Sequence, residues 1–438
     1  MRVLLNSAKI FGIKNIDKEI SLTFTNKALD DKAFEGSYVK AIYGCNGAGK
    51  SGIIHAFEIV EKIATSDFPF RDHIFTPKLI ELINKKTRTF RIETSFSFSK
   101  SERYRYTLAI SLSASKEPYI SYESLETLTQ RGDLDEIVCR MKDGLLAPES
   151  TLKFLGNGYY PVFGRRSSFL FAGLLGEPQQ DVDIGVTERK AYGRLHAAWY
   201  FFLNLTVLFG GDSDNHVFFD IKSYRNVLES RKNDLSEIVN PLQRTMITSR
   251  LKGDRYLSII SPDDEGEYKR MVKRLGEFLK IAKPDLRKID VRFANDGTWS
   301  YPELRFDYDG YSIDYEFEST GVKKLCSLFM ALEHSSNYVV IIDEIDAGIH
   351  DLFLINLVEY FALYKPCQII MTTHNIDLMD SVNGLSKSID ILTDEPSIVP
   401  WVKKGTLSPI SQYKKGYLGG VPTNLTPIDF APIFNDEE

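Results

Sequence analysis

The octapeptide Gly44-Cys45-Asn46-Gly47-Ala48-Gly49-Lys50-Ser51 carries the spacing GxxxxGK(S/T). Glycines at these places let the backbone turn so that successive N–H groups face a phosphate, and a helix opening at the lysine adds its positive end. On that chemistry Gly44, Asn46, Gly47, Gly49, Lys50 and Ser51 bind a nucleotide. Lys50 reaches its β- and γ-phosphates, and the Ser51 hydroxyl ligates Mg²⁺. The expected ligands are ATP and Mg²⁺. A glycine-rich turn with an exposed lysine is the bland alternative, and Cys45 reads as a small residue filling a variable loop position.

A second group lies far along the chain. Asp343 and Glu344 follow Val339-Val340-Ile341-Ile342, so two carboxylates stand at the carboxyl end of a buried strand, where open α/β sheets put their ligand crevice. Asp343 would join the Mg²⁺ shell and Glu344 would polarise an attacking water as general base. Such a pair can also merely terminate a strand; the glycine loop in the same chain favours catalysis. His374, just beyond the apolar run Gln368-Ile369-Ile370-Met371, could contact a γ-phosphate and sense its presence. Lys50, Glu344 and His374 are the expected catalytic set.

These side chains have to be held by strands that end at them. Val39-Lys40-Ala41-Ile42-Tyr43 reads as a strand running into the loop, and Ile53, Ala56, Phe57, Val60 and Ile63 recur at helical spacing after it. From Thr89 to Leu112 the period becomes two, with a polar turn at 99–103, as in an antiparallel hairpin. Residues 185–292 are richer in helical spacing and charge, and Ala197 to Phe209 reads as a buried helix too short to span a bilayer. From Asp394 onward Pro and Gly predict an irregular tail with short strands.

The 438 residues are 43% hydrophobic and 26% charged, which excludes disorder and fibrous repeats. A net charge of −6 argues against coating nucleic acid by bulk electrostatics, although Lys269, Arg270, Lys273, Arg274, Lys280, Lys283, Arg287, Lys288 and Arg292 could touch phosphates locally. The same residues also fit a solvated helix face. Four scattered cysteines give neither a zinc knuckle nor a disulfide framework, and the start turns polar too early for a signal peptide. A cytoplasmic protein without membrane contact is expected.

Together, Gly44 to Ser51, Asp343-Glu344 and His374 resemble the ABC-type ATPase heads of the SMC, RecF and OLD group, whose loop commonly reads GxNGxGKS. Asn6 to Asn15, with Phe11-Gly12-Ile13, is similar to the opening strand of RecF-like heads. The resemblance implies an α/β fold: an ABC-type P-loop NTPase head with a mixed sheet, an antiparallel β lobe and an inserted helical lobe without a long coiled coil. It divides the chain into an N-terminal part of the head with the P-loop and β lobe (1–125) and an inserted, mainly helical lobe (126–292). The C-terminal part of the head (293–400) and an irregular tail (401–438) follow.

The resemblance also implies a signature loop, for which Glu318-Ser319-Thr320-Gly321-Val322-Lys323-Lys324-Leu325 is the match, its serine 24 residues before Asp343. Ser319 and Gly321 would bind the γ-phosphate held by a second protomer; the bare sequence also fits a helix cap. Asp346-Ala347-Gly348-Ile349-His350 is similar to the D-loop at the same interface. The Q-loop has no assignment. Lys414 to Pro422 is similar to the closing segment of ABC-like ATPases from bacterial anti-phage operons, among them the PARIS ATPase subunits.

What such a resemblance implies is a homodimer or higher homo-oligomer sandwiching ATP between heads. It would act as a switch that senses infection, through a phage trigger protein, and controls a separately encoded nuclease or toxin. A nucleotide-binding scaffold with little turnover and a RecF/SMC-like DNA repair clamp remain as alternatives. Only residues 375–438 follow His374, too few for the TOPRIM nuclease domain of the OLD enzymes, so cutting of DNA by this chain is not expected.

Overall fold

The computed structural model describes residues 2–25, 29–66, 68–153, 164–171, 186–209, 262, 265–295, 300–333, 339–382, 388–393, 395–402, 407–415 and 417. At its centre is a six-stranded mixed sheet. Its order is β16 (Ile398–Pro400), β15 (Ile389–Leu392), β3 (Tyr38–Gly44), β14 (Gln368–Thr372), β13 (Val339–Ile342) and β9 (Leu205–Leu208). All neighbours are parallel except β15 and β16. Short β-branched and apolar runs suit strands covered on both faces. Ile42, Ile341 and Ile370 enter one core with α1 (Lys50–Thr65), whereas Ala41, Tyr43, Val340 and Ile342 enter another with α5 (Thr320–Glu333), α6 (Asp351–Tyr364) and α7 (Leu378–Val382).

The first core is closed by an antiparallel sheet of seven strands, in the order β2 (Ile20–Thr23), β1 (Leu4–Phe11), β4 (Thr89–Ser97), β5 (Arg103–Leu112), β6 (Pro118–Leu128), β7 (Leu134–Lys142) and β8 (Leu145–Leu146). The β4–β5 register sets Phe90 opposite Ile110, Ile92 opposite Leu108 and Phe96 opposite Tyr104, all buried. Phe96 also stacks on Phe201 of α3 (Val186–Leu203), with centroids 4.0 Å apart. Gln368 joins the two sheets by standing in for a strand: its amide accepts from Leu5 N–H at 2.8 Å and donates to Leu5 C=O at 2.7 Å. A smaller sheet, β10 (Leu286–Asn295), β11 (Ser300–Tyr308) and β12 (Ser312–Asp314), lies beside α4 (Glu265–Ala282). The remaining helices are α2 (Phe75–Leu82) and α8 (Pro409–Lys414).

Three sequence expectations differ from this fold. The helix drawn over Ala197 to Phe209 stops at Leu203, because the Asn204 side chain donates to Tyr200 C=O and Asn204 C=O accepts from Val339 N–H, so that Thr206 and Val207 extend alongside β13. The boundary drawn at 125 cuts through β6. The antiparallel sheet continues through β7, whose inward Val138, Cys139 and Met141 hide within a charged sequence. Part of the tail packs on the head, where Tyr413 of α8 lies 6.0 Å from the Tyr43 ring. Leu418 to Pro422 and the rest of the tail to 438 fall outside the described residues, as do Gly210 and Gly211. Among the described residues no helix is long and apolar enough to cross a membrane.

Candidate nucleotide site

The carboxyl ends of the parallel strands share one edge of the sheet, and the glycine loop leaves β3 there. At Gly44 a Cβ would meet the Leu392 carbonyl oxygen at 2.6 Å, so the neighbouring β15 demands glycine. Gly49 has φ 114°, and a Cβ on it would meet Asn15 Oδ1 at 2.9 Å. Asn15 in turn donates to Gly47 C=O at 2.8 Å, pinning the loop from outside. Helix α1 begins at Lys50, leaving first-turn N–H groups without intrahelical acceptors.

Lys50 is buried, not the exposed lysine of the bland alternative. Its ammonium donates to Gly44 C=O at 2.7 Å and Cys45 C=O at 3.1 Å. Burial lowers its pKa, and Asp343, Cys45, Glu344 and Asp346 oppose that shift. Asn46 is exposed at the loop tip, and the half-buried Ser51 makes no side-chain hydrogen bond within the described residues.

Asp343 leaves β13 buried, its N–H donating to Leu208 C=O at 2.7 Å. Thr372 at the end of β14 donates its hydroxyl to Asp343 Oδ1 at 2.5 Å, and Thr372 Oγ1 in turn accepts from Glu344 N–H at 2.8 Å. Glu344 adopts φ 44°, left-handed for a non-glycine residue. His374, exposed two residues beyond Thr372, donates its backbone N–H toward Asp346 Oδ2 at 3.3 Å. Because β14 lies between β3 and β13, the glycine loop, the acidic pair and the histidine emerge from three adjacent strands.

Ser319 is exposed and its hydroxyl accepts from Val322 N–H at 3.3 Å, so it caps α5 while remaining open to a second molecule. Gly321 packs on the D-loop-like turn: a Cβ there would meet Gly348 C=O at 3.2 Å. The carboxyl end of β9, which the sequence reading drew as helix, lies beside Asp343, and Phe209 after it stacks on His55 of α1.

Three residues lie inside segments the sequence reading singled out but were given no role there. Thr372 would follow from the β13–β14 register, which sets Ile342 beside Met371. Lys14, just past Phe11-Gly12-Ile13, has its pKa lowered by burial and raised by Asp343, Glu58 and Glu344, which places its charge near the acidic turn. Lys324 of α5 donates to Glu344 C=O at 2.6 Å.

The donor set fits a magnesium nucleotide. Among the described residues, a glycine cradle, an ammonium held by loop carbonyls, a hydroxyl without a side-chain hydrogen bond and a buried carboxylate with one oxygen engaged are the groups that phosphates and a hard cation use.

The family described as an AAA domain, putative AbiEii toxin, Type IV TA system, matches residues 213–380. That span holds Ser319, Gly321, Asp343, Glu344 and His374 but not the glycine loop. No curated protein matches the sequence. Among solved structures, an SMC head bound to the C-winged helix domain of ScpA aligns over 91% of this chain and 98% of its own, at 14% identity and TM-score 0.46. The SMC head domain from Thermotoga maritima aligns over 92% and 100%, at 14% and 0.36. The recombination mediator RecF with ATP aligns over 92% and 98%, at 12% and 0.40. The described residues form an α/β fold in which a mixed central sheet carries the glycine loop and an antiparallel sheet covers one face.

Proposed function

We propose that this chain is an Mg²⁺-dependent ATPase whose heads close around ATP and act as a nucleotide-gated switch or scaffold in bacterial anti-phage defence. The observation that carries the ATPase reading is the convergence of the glycine loop, Asp343-Glu344 and His374 at the ends of β3, β13 and β14, cross-linked by Thr372. Gly44, Asn46, Gly47, Gly49 and Lys50 bind the phosphates, while Ser51 and Asp343 hold the cation, which when bound offsets phosphate charge. Glu344 accepts a proton from the attacking water, and His374 reads the γ-phosphate. Ser319 and Gly321 serve the nucleotide of a second copy, so a homodimer or higher homo-oligomer is the working form. The AbiEii-type match supports a defence role, with a nuclease or toxin effector and a phage trigger as partners.

A DNA repair clamp draws less support. Of the nine basic residues on and after α4, Arg274, Lys280, Lys283, Arg287 and Lys288 face carboxylates already, and Lys269 lies over the Phe293 ring. The test is Ser319→Arg. It should leave nucleotide affinity within about 2-fold while cutting phosphate release by about 100-fold, the scale of one lost transition-state contact. Unchanged turnover would remove Ser319 from the site. Copurification with proteins encoded beside it, in wild-type and Glu344→Gln forms, tests the effector.

A further inference from the structure

Glu344 is held at both ends of its peptide unit. Its N–H is fixed by the Thr372 hydroxyl at 2.8 Å, the next residue's N–H by Thr372 C=O at 3.1 Å, and its own C=O accepts from Ala347 N–H at 3.0 Å. The remaining contact is Lys324 Nζ, which donates to that carbonyl at 2.6 Å from the first turns of α5. A left-handed backbone costs a residue with a side chain about 1–2 kcal/mol, and it persists only where the surroundings over-determine it.

Lys324 is half-buried, and Asp346, Glu344 and Asp343 are the charges that face it. Burial lowers its pKa to about 8, and those three carboxylates work against that shift. Its neighbour Lys323 points elsewhere, to Glu316 C=O at 2.7 Å.

We propose that Lys324 is a positioning residue: by clamping the Glu344 carbonyl it sets the direction of the Glu344 carboxylate, so that turnover depends on it and nucleotide binding does not. The inference rests on the ATPase reading above. It also ties α5, the helix that Ser319 caps, to the general base of the same chain.

The test compares wild type, Lys324→Gln, Lys324→Arg, Glu344→Gln and the Lys324→Gln/Glu344→Gln double variant, in full-length protein with Mg²⁺ and ATP. Lys324→Gln should lower kcat by about 10- to 100-fold with KM and nucleotide affinity within about 2-fold, and Lys324→Arg should restore most of the loss. In the Glu344→Gln background Lys324→Gln should add less than about 2-fold, because both act through one group. If Lys324→Gln melts well below wild type, Lys324→Met, which keeps the aliphatic stem, replaces it. An unchanged kcat, a loss that multiplies onto Glu344→Gln, or affinity falling in step with kcat would each overturn the inference while leaving the ATPase reading intact. Absence of turnover in wild type would overturn both.

Discussion

The antiparallel lobe and the carboxyl edge of the central sheet hold their carboxylates in different ways. In the lobe the buried Glu123 and Asn6 side chains are answered by their own chain, although the Ser124 and Ser167 hydroxyls have no hydrogen-bond partner among the described residues. Glu123 accepts from Tyr106 Oη at 2.6 Å, from the Ser168 hydroxyl and from Phe169 N–H at 3.0 Å, while Asn6 donates to Ser97 Oγ at 2.6 Å. Along the edge the Ser51 hydroxyl has no partner within the described residues, Lys50 finds only loop carbonyls, and Glu344 holds a costly backbone angle. Buried polar groups are ordinarily satisfied. At the edge a half-buried hydroxyl, an ammonium on loop carbonyls and a strained turn stand together, an arrangement that a ligand would complete.

The comparison can be broken from beneath the edge. Lys40 of β3 and Asp390 of β15 form an ion pair at 2.5 Å with side chains 4% and 2% exposed, under the strand that carries the glycine loop. Asp390→Ala removes the carboxylate that faces a buried ammonium and should cost about 3–5 kcal/mol of stability. Chemical denaturation checks this, and Lys40→Met/Asp390→Leu should recover most of the loss. A loss below about 1 kcal/mol would show that the pair is not shielded from water.

Lys50→Ala sharpens the contrast from the other side. It removes no partner that the fold itself needs, so stability should hold while nucleotide affinity drops about 10- to 100-fold, read by fluorescent-nucleotide titration. Retained affinity would take Lys50 out of the phosphate site.

The smallest effect is in the lobe. Burial raises the Glu123 pKa to about 7, against the donors that favour its carboxylate. The folded state therefore binds this proton more tightly than the unfolded chain, and the group costs nothing below the usual carboxylate range. Stability then falls as pH rises through about 7. Wild type should lose about 2–4 °C of Tm between pH 5 and 8 on this account. Glu123→Gln should flatten that slope, its amide oxygen taking Phe169 N–H and its NH2 facing the Tyr106 and Ser168 hydroxyl oxygens. A slope identical to wild type would assign the pH dependence elsewhere.

How far the sequence could be read follows from the same physics. The strands around the loop and the acidic pair were legible because VVII and QIIM are buried on both faces, and the β4–β5 hairpin because its aromatic residues alternate. Strand β9 was not, since LTVL continues the apolar run of α3 and only pairing with β13 turns it into a strand. Nor was β7, where LDEIVCRMK looks like a solvated segment until it pairs with β6. In the site, glycine, lysine and carboxylate types announced themselves by spacing. Thr372 and Lys324 bond to the acidic turn, and Lys14 lies near its charges, from elements distant in sequence, which spacing does not encode.

The central claim is that Glu344, at the end of β13, is the base of an ATPase whose nucleotide is bound by the loop after β3. Steady-state phosphate release by wild type and Glu344→Gln, with bound nucleotide and molecular mass read on the same samples, tests it most directly. The account predicts that Glu344→Gln keeps ATP, loses at least about 100-fold in turnover and accumulates in a closed assembly of higher mass. Turnover at the wild-type rate would contradict it.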